Sequence, residues 1–114
     1  MEIMFWIQVI VAVATMAFGV LSIVFPPAAE RFTGLTAAGP RGVSEIRAVL
    51  GGLFVGLGLA ALIYRTPAAF GALGIGYLSI AVVRGASIYF DEAATTSNLV
   101  SLGFEVGFGI LLLI

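Results

Sequence analysis

The sequence predicts an all-α fold, an integral membrane antiparallel bundle of four transmembrane helices that forms a single domain over residues 1–114. Three observations predict this class. The chain is 61% hydrophobic and only 10% charged, whereas soluble domains carry roughly 25% charged residues. Its mean hydropathy is +1.21. The apolar residues also fall into four runs, separated by turn residues, each about the length that crosses a bilayer.

The composition excludes several function classes. The chain has no Cys and no His, and its basic residues are all Arg. Thiol and imidazole chemistry and the usual zinc ligands are therefore missing, so we expect no metal site, no cofactor, no catalytic residue and no enzymatic activity. A net charge of −1 offers no basic surface for nucleic acid, and we expect no such partner.

The first predicted helix covers about residues 3–25 and ends before Pro26-Pro27, because proline donates no backbone N–H. It lacks the basic start of a signal peptide, so we expect it to be retained. Small and polar residues recur along one stripe at helical spacing. Such a stripe indicates close packing against another helix, with a polar pore lining as the alternative. The stripe consists of Gln8, Ala12, Thr15, Gly19 and Ser22.

Residues 26–43 form the longest predicted connection. One or two helical turns at the membrane surface are expected over Ala28–Leu35, and Gly39-Pro40 and Gly42 are expected to break them. The segment is interpreted as a plain linker, with a lid over the charged residues described below as the alternative.

The second predicted helix covers about residues 44–64. Ser44 is the expected N-cap, and Glu45 in the first turn suits the positive end of the helix dipole. Arg47 has no such role there and needs lipid headgroups or an acidic partner on another helix. Gly52 and Gly56 form a GxxxG motif, which is typical of packing surfaces between membrane helices.

The third and fourth predicted helices cover about residues 67–90 and 97–114. Thr66-Pro67 is typical of an N-cap followed by a first-turn proline. Tyr77, Arg84 and Ser87 share one face of the third helix by their spacing, and Glu105 lies inside the fourth helix.

Alternating helix directions place the internal charges in the same half of the bundle. An unpaired charge in the membrane costs about 2.5–3.5 kcal/mol on insertion scales, so we predict an Arg84–Glu105 pair with Arg47 close enough to share Glu105. The pair either fixes how the helices dock, or lines a binding pocket, or makes Glu105 a protonatable group coupled to transport. The predicted polar pocket comprises Glu45, Arg47, Tyr77, Arg84, Ser87 and Glu105.

These residues carry a family resemblance. The pattern Glu45-x-Arg47-x-x-x-Gly51-Gly52, followed by Arg84 and Glu105, resembles a bacterial domain-of-unknown-function family of small four-helix integral membrane proteins, DUF4345. The resemblance implies four transmembrane helices and no settled activity. The size and layout are also similar to DoxX-like membrane proteins, without a shared motif.

Two functions remain open from the sequence. The first is an accessory or structural subunit of a membrane assembly, in which the Arg/Glu cluster fixes helix docking. The alternative is a binder or carrier of a small amphiphile, lipid or ion in the Arg47/Arg84/Glu105 pocket, with proton coupling through Glu105 as an option. The expected location is the bacterial inner (cytoplasmic) membrane. The expected partners are the lipid bilayer and either further copies of the chain or a larger membrane complex.

Overall fold

The computed structural model describes residues 2–114, so Met1 of the predicted domain lies outside it. This described part is all-α and contains five helices, four of which are long and apolar enough to cross a membrane. The short second helix is the exception. The helices are α1 (Glu2–Val24), α2 (Pro26–Thr33), α3 (Gly39–Tyr64), α4 (Pro67–Phe90) and α5 (Thr96–Leu113).

Two of the helix starts follow threonine caps. The hydroxyl of Thr66 accepts a hydrogen bond from Ala69 N at 3.1 Å, and Pro67 occupies the first turn of α4, as predicted. Thr95 caps α5 in the same way, through Asn98 N at 3.2 Å. The side-chain oxygen satisfies an N–H that has no partner within the helix.

Helix α3 begins earlier than the predicted Ser44. It starts at Gly39 with Pro40 in its first turn, so the Gly-Pro pair begins the helix and does not break it. Proline suits this position because its φ is already helical and the N–H that it lacks would have no partner there. Between Ile46 and Leu53, α3 is wound as a π-helix, a rare geometry that is frequent at functional sites.

The connection after α1 is an ordered, packed element. Helix α2 buries Pro26 and Ala29 and ends at Gly34, which adopts the left-handed conformation, φ 81°, that glycine allows without strain. The hydroxyl of Ser97 donates to the Phe32 carbonyl at 2.9 Å and so ties the end of α2 to the start of α5.

Helices α1 and α3 form one close pair, which we call the first pair. A Cβ added at Gly19 would lie 2.7 Å from the Gly51 carbonyl oxygen, and one at Gly58 would lie 2.8 Å from that of Ala12. The two helices therefore run in opposite directions with their backbones in contact. The buried residues of α1 include Ala12, Thr15, Gly19 and Ser22, which confirms the predicted packing stripe.

The predicted GxxxG motif does not make this contact. Gly51 and Gly58 face α1, whereas Gly52 and Gly56 lie on an exposed side of α3 within the described chain. Gly51 and Gly58 are separated by two helical turns and share a face, and α3 presents only that face to α1.

Helices α4 and α5 form the second pair. They also run in opposite directions, because Gly74 lies against Gly109 while Arg84 lies against Asn98. A Cβ at Gly74 would approach the Gly109 carbonyl oxygen to 3.0 Å. Small residues thus permit close backbone contact in both pairs.

The two pairs meet mainly at one end. A buried apolar cluster joins them there through Val11, Ala61, Phe70 and Leu112, among others. At the same end, Gln8 Nε2 donates to the carbonyls of Leu111 at 3.1 Å and Leu112 at 3.3 Å. These carbonyls belong to the last turn of α5, where no intrahelical donor follows. Toward the other end a cavity separates the pairs.

Candidate functional site

The predicted Arg84–Glu105 pair is present and is bidentate. Arg84 Nε donates to Glu105 Oε1 and Nη2 donates to Oε2, both at 2.7 Å. The Arg84 side chain is 28% exposed and that of Glu105 is 11% exposed. Two parallel charge-assisted hydrogen bonds between partly buried side chains hold the guanidinium and the carboxylate in a fixed orientation. They also lock α4 to α5.

Asn98 completes this cluster. Its Oδ1 accepts from Arg84 Nη1 at 2.7 Å, and its Nδ2 donates to the Ala93 carbonyl at 3.0 Å. Sequence reasoning did not include Asn98 in the predicted site. The available signal was its position two helical turns before Glu105, which places both side chains on one face of α5.

An apolar cavity of about 550 Å³ lies beside this pair, between the two helix pairs. Five Phe residues contribute to its wall, and α2 contributes Phe32 and Thr33 at one end. Polar side chains occur on the wall formed by the second pair. The lining residues include Ala14, Phe18, Phe32, Leu50, Phe54, Tyr77, Arg84, Ser101, Phe104, Glu105 and Phe108.

A smaller cavity of about 260 Å³ adjoins the first. The two share Leu53, Phe54, Tyr77 and Ile80 in their walls, and the smaller one continues toward Leu57. The combined space is therefore elongated. Its polar groups lie near Arg84, and the part at the far end is lined mainly by apolar side chains.

Tyr77 stands where the two cavities adjoin. Its hydroxyl forms a hydrogen bond with Thr15 Oγ1, which itself donates to the Val11 carbonyl at 2.9 Å. Because the single Thr15 proton is used on Val11, Tyr77 is the donor toward Thr15. The Tyr77 oxygen keeps its acceptor capacity, and the bond joins α4 to α1.

Arg47 does not share Glu105 within the described chain, contrary to our expectation. It is exposed, and its Nη1 donates to the Ile23 carbonyl at 2.7 Å. That carbonyl would normally accept from residue 27, but Pro27 has no N–H. Arg47 therefore caps the end of α1, where a cation is also favoured by the helix dipole.

Glu45 also lies apart from the Arg84–Glu105 pair, whereas Ser87 lines a separate, more open pocket of about 520 Å³ together with Arg84 and Asn98. Glu45 pairs with Arg41 one turn earlier at 3.2 Å, and the two side chains are 55% and 85% exposed. Ser87 donates to Asp91 Oδ2 at 2.6 Å on the exposed side of α4. Of the six predicted residues, Tyr77, Arg84 and Glu105 line the larger cavity.

Comparison with known protein families shows the family of this chain. A family model described as domain of unknown function (DUF4345) matches residues 3–114. The chain belongs to this family. No curated protein and no solved structure matches the chain. The resemblance based on Glu45, Arg47, Arg84 and Glu105 is thus confirmed for DUF4345, and the DoxX-like alternative is not shown. The matched range includes Arg84, Asn98 and Glu105 and every residue that lines the two cavities.

Proposed function

We propose that this DUF4345 protein binds a small amphiphile or lipid in the cavity between its two helix pairs. The observation that carries the proposal is the elongated apolar space that reaches the Arg84–Glu105 pair. The polar wall suits a head group, and the Phe-lined remainder suits a hydrocarbon chain. In this proposal Arg47 is not part of the pocket, because it caps α1.

The size and lining of the cavity support this function. Pockets for small ligands usually measure about 300–1,000 Å³, with mostly apolar walls and a few polar groups, and the larger cavity has about 550 Å³. An empty apolar space of that size would forfeit many dispersion contacts. A hydrocarbon chain would supply those contacts without introducing a polar group.

The same proposal includes the membrane architecture. The four long helices form an antiparallel bundle in the inner membrane of a bacterium, with the Arg84–Glu105 pair fixing the docking of α4 on α5.

Cysteine labelling tests this topology. The chain has no Cys, so a single introduced cysteine shows on which side of the membrane its position lies. Thr36→Cys and Ala94→Cys should be labelled from one side of the membrane and Tyr64→Cys from the other. Labelling of all three from the same side would contradict this topology.

A cavity-filling variant tests the binding function. Ala14 lines the cavity, so Ala14→Phe should occupy it and abolish binding of added amphiphiles. Purified protein in nonionic detergent would be titrated with monooleoylglycerol, oleyl sulfate and oleyl trimethylammonium, and bound molecules would be counted by native mass spectrometry.

Ala17→Phe is the matched control, since Ala17 is on the same helix but exposed. The control should bind as the unmodified protein does. Equal binding of each amphiphile to the unmodified protein and to Ala14→Phe would contradict a function of the cavity.

A subunit function is the second candidate. Gly52 and Gly56 form an exposed small-residue face with no neighbour around Gly56 in the described chain, and such faces let membrane helices from separate chains approach closely. We propose that this face holds a second copy of the chain. Measurement of the oligomeric state in lipid tests it.

A further inference from the structure

The charges beside the cavity cancel. Both oxygens of Glu105 accept from Arg84, and the third bond of Arg84 goes to the neutral Asn98. No other ionisable side chain except Tyr77 lines the larger cavity among residues 2–114. The wall therefore carries hydrogen-bonding groups without a net charge.

Two residues of this wall nevertheless keep unused hydrogen-bonding capacity. A guanidinium has five N–H donors; the Arg84 bonds to Glu105 and Asn98 use three, so two are left. The Tyr77 oxygen also keeps its acceptor capacity, as its proton points to Thr15.

Ser101 is the second, independent observation. It is only 7% exposed, it lines the cavity, and its hydroxyl has no hydrogen-bonding partner among the described residues. No side-chain oxygen in this range is both fully enclosed and unpartnered, so the Ser101 hydroxyl is open toward the cavity. The hydroxyl is therefore free to form a hydrogen bond with a ligand oxygen that enters the cavity.

Resting on the proposed function, we infer that the ligand is an amphiphile with an uncharged head that carries carbonyl or hydroxyl oxygens. The head lies against Ser101 and the spare N–H groups of Arg84, and the chain extends along the Phe-lined space toward Leu57. Ser101 acts as a selectivity residue, because its hydroxyl can donate to such an oxygen or accept from it.

Anionic and cationic head groups are both disfavoured at this wall. A sulfate or carboxylate would lie next to the Glu105 carboxylate, and a quaternary ammonium next to the Arg84 guanidinium. Each would also lose its hydration without finding an unpaired opposite charge, and burial of an unpaired charge is far more costly than burial of a neutral polar group. An uncharged head avoids both penalties.

The experiment compares three amphiphiles that share the oleyl chain length and differ in head charge: monooleoylglycerol, oleyl sulfate and oleyl trimethylammonium. For each amphiphile, binding to Ala14→Phe is subtracted from binding to the unmodified protein. The difference excludes nonspecific association with the protein surface. We expect monooleoylglycerol to bind at least ten-fold more tightly than either charged amphiphile. Ser101→Ala should weaken its binding about three- to ten-fold, the usual loss for one neutral hydrogen bond.

Ser44→Ala is the matched control. Ser44 is exposed on α3 and lines neither the larger cavity nor the pocket on the outer side of Arg84, so its removal should leave binding unchanged. Equal or tighter binding of a charged amphiphile would overturn the inference and leave the binding function standing. Unchanged binding in Ser101→Ala would overturn the role of Ser101. Absence of Ala14-dependent binding for all three would overturn the proposed function itself.

Discussion

At the scale of single residues, the Arg84–Glu105 pair shows why charges can persist in so apolar a chain. Each group alone would carry a large desolvation cost, and the bidentate geometry at 2.7 Å offsets much of it. Asn98 fixes the remaining side of the guanidinium. The pair therefore specifies one docking arrangement of α4 and α5, whatever it contributes to net stability.

Breaking this pair should destabilise the protein. Glu105→Gln leaves a mostly buried guanidinium without its counter-charge, and removal of one partner from a buried pair typically costs about 3–5 kcal/mol. Because Arg84 keeps some exposure and Gln still accepts one hydrogen bond, we expect a loss of about 2 kcal/mol. Reversible unfolding in mixed micelles measures it.

Two further variants serve as controls for this prediction. Glu45→Gln breaks the exposed Arg41–Glu45 pair and should cost less than about 1 kcal/mol. The double variant Arg84→Met/Glu105→Leu removes both charges and should recover most of the loss. Equal losses of unfolding free energy in Glu105→Gln and Glu45→Gln would show that the Arg84–Glu105 pair stabilises the protein no more than the exposed Arg41–Glu45 pair does.

At the scale of elements, close helix contact depends on which glycines face a neighbour. In the first pair, Gly19 and Gly58 leave room for the backbone of the opposite helix. In lipid, helix association depends on such packing because lipid tails are as apolar as the side chains. A glycine on an exposed face contributes nothing to this contact.

Gly58→Ala should therefore destabilise the protein, because the new Cβ would lie 2.8 Å from the Ala12 carbonyl oxygen, a backbone atom. We expect a loss of about 1–3 kcal/mol, the usual cost of overpacking. Gly76→Ala on α4 is the control, since its Cβ would enter open space; it should be neutral or stabilise by up to about 1 kcal/mol. The stability of both variants is measured by thermal unfolding, and a Gly58→Ala protein as stable as Gly76→Ala would refute the close contact.

At the scale of the whole molecule, two helix pairs are joined at one end and separated toward the other. Gln8 and the apolar cluster around Phe70 close the first end. Near the other end, α2 connects the pairs through the bond from Ser97 to Phe32 and contributes to the cavity wall. The segment is therefore a packed part of the cavity wall, unlike the plain linker that we predicted, and its alternative function as a lid over the charged residues stays a prediction.

The exposed Gly52/Gly56 face predicts self-association at this scale. In vesicles at low protein density, the unmodified chain should form dimers or larger species that single-molecule photobleaching can count. Gly56→Leu should shift it to monomers, because a bulky side chain prevents close helix approach. Ala17→Leu, at an exposed position of α1 outside any GxxxG motif, should leave the oligomeric state unchanged. A monomeric unmodified chain would contradict the subunit function.

The sequence by itself determined the features that depend on local chemistry. Four apolar runs produced four long helices, Thr66-Pro67 began α4, and the α1 stripe became a packing surface. The Arg84–Glu105 pair was also predictable, because an internal charge in an apolar bundle needs an opposite charge at matching depth.

Only the tertiary structure decided the features that depend on how helices face one another. Arg47 was assigned to Glu105, but the carbonyl left free by Pro27 lies nearer in space. Gly51 and Gly58, not Gly52 and Gly56, contact α1, since the rotation of a helix about its axis is set by the partner's shape. The cavity and the open hydroxyl of Ser101 arise where two rigid pairs diverge, and no local pattern of residues encodes an empty space.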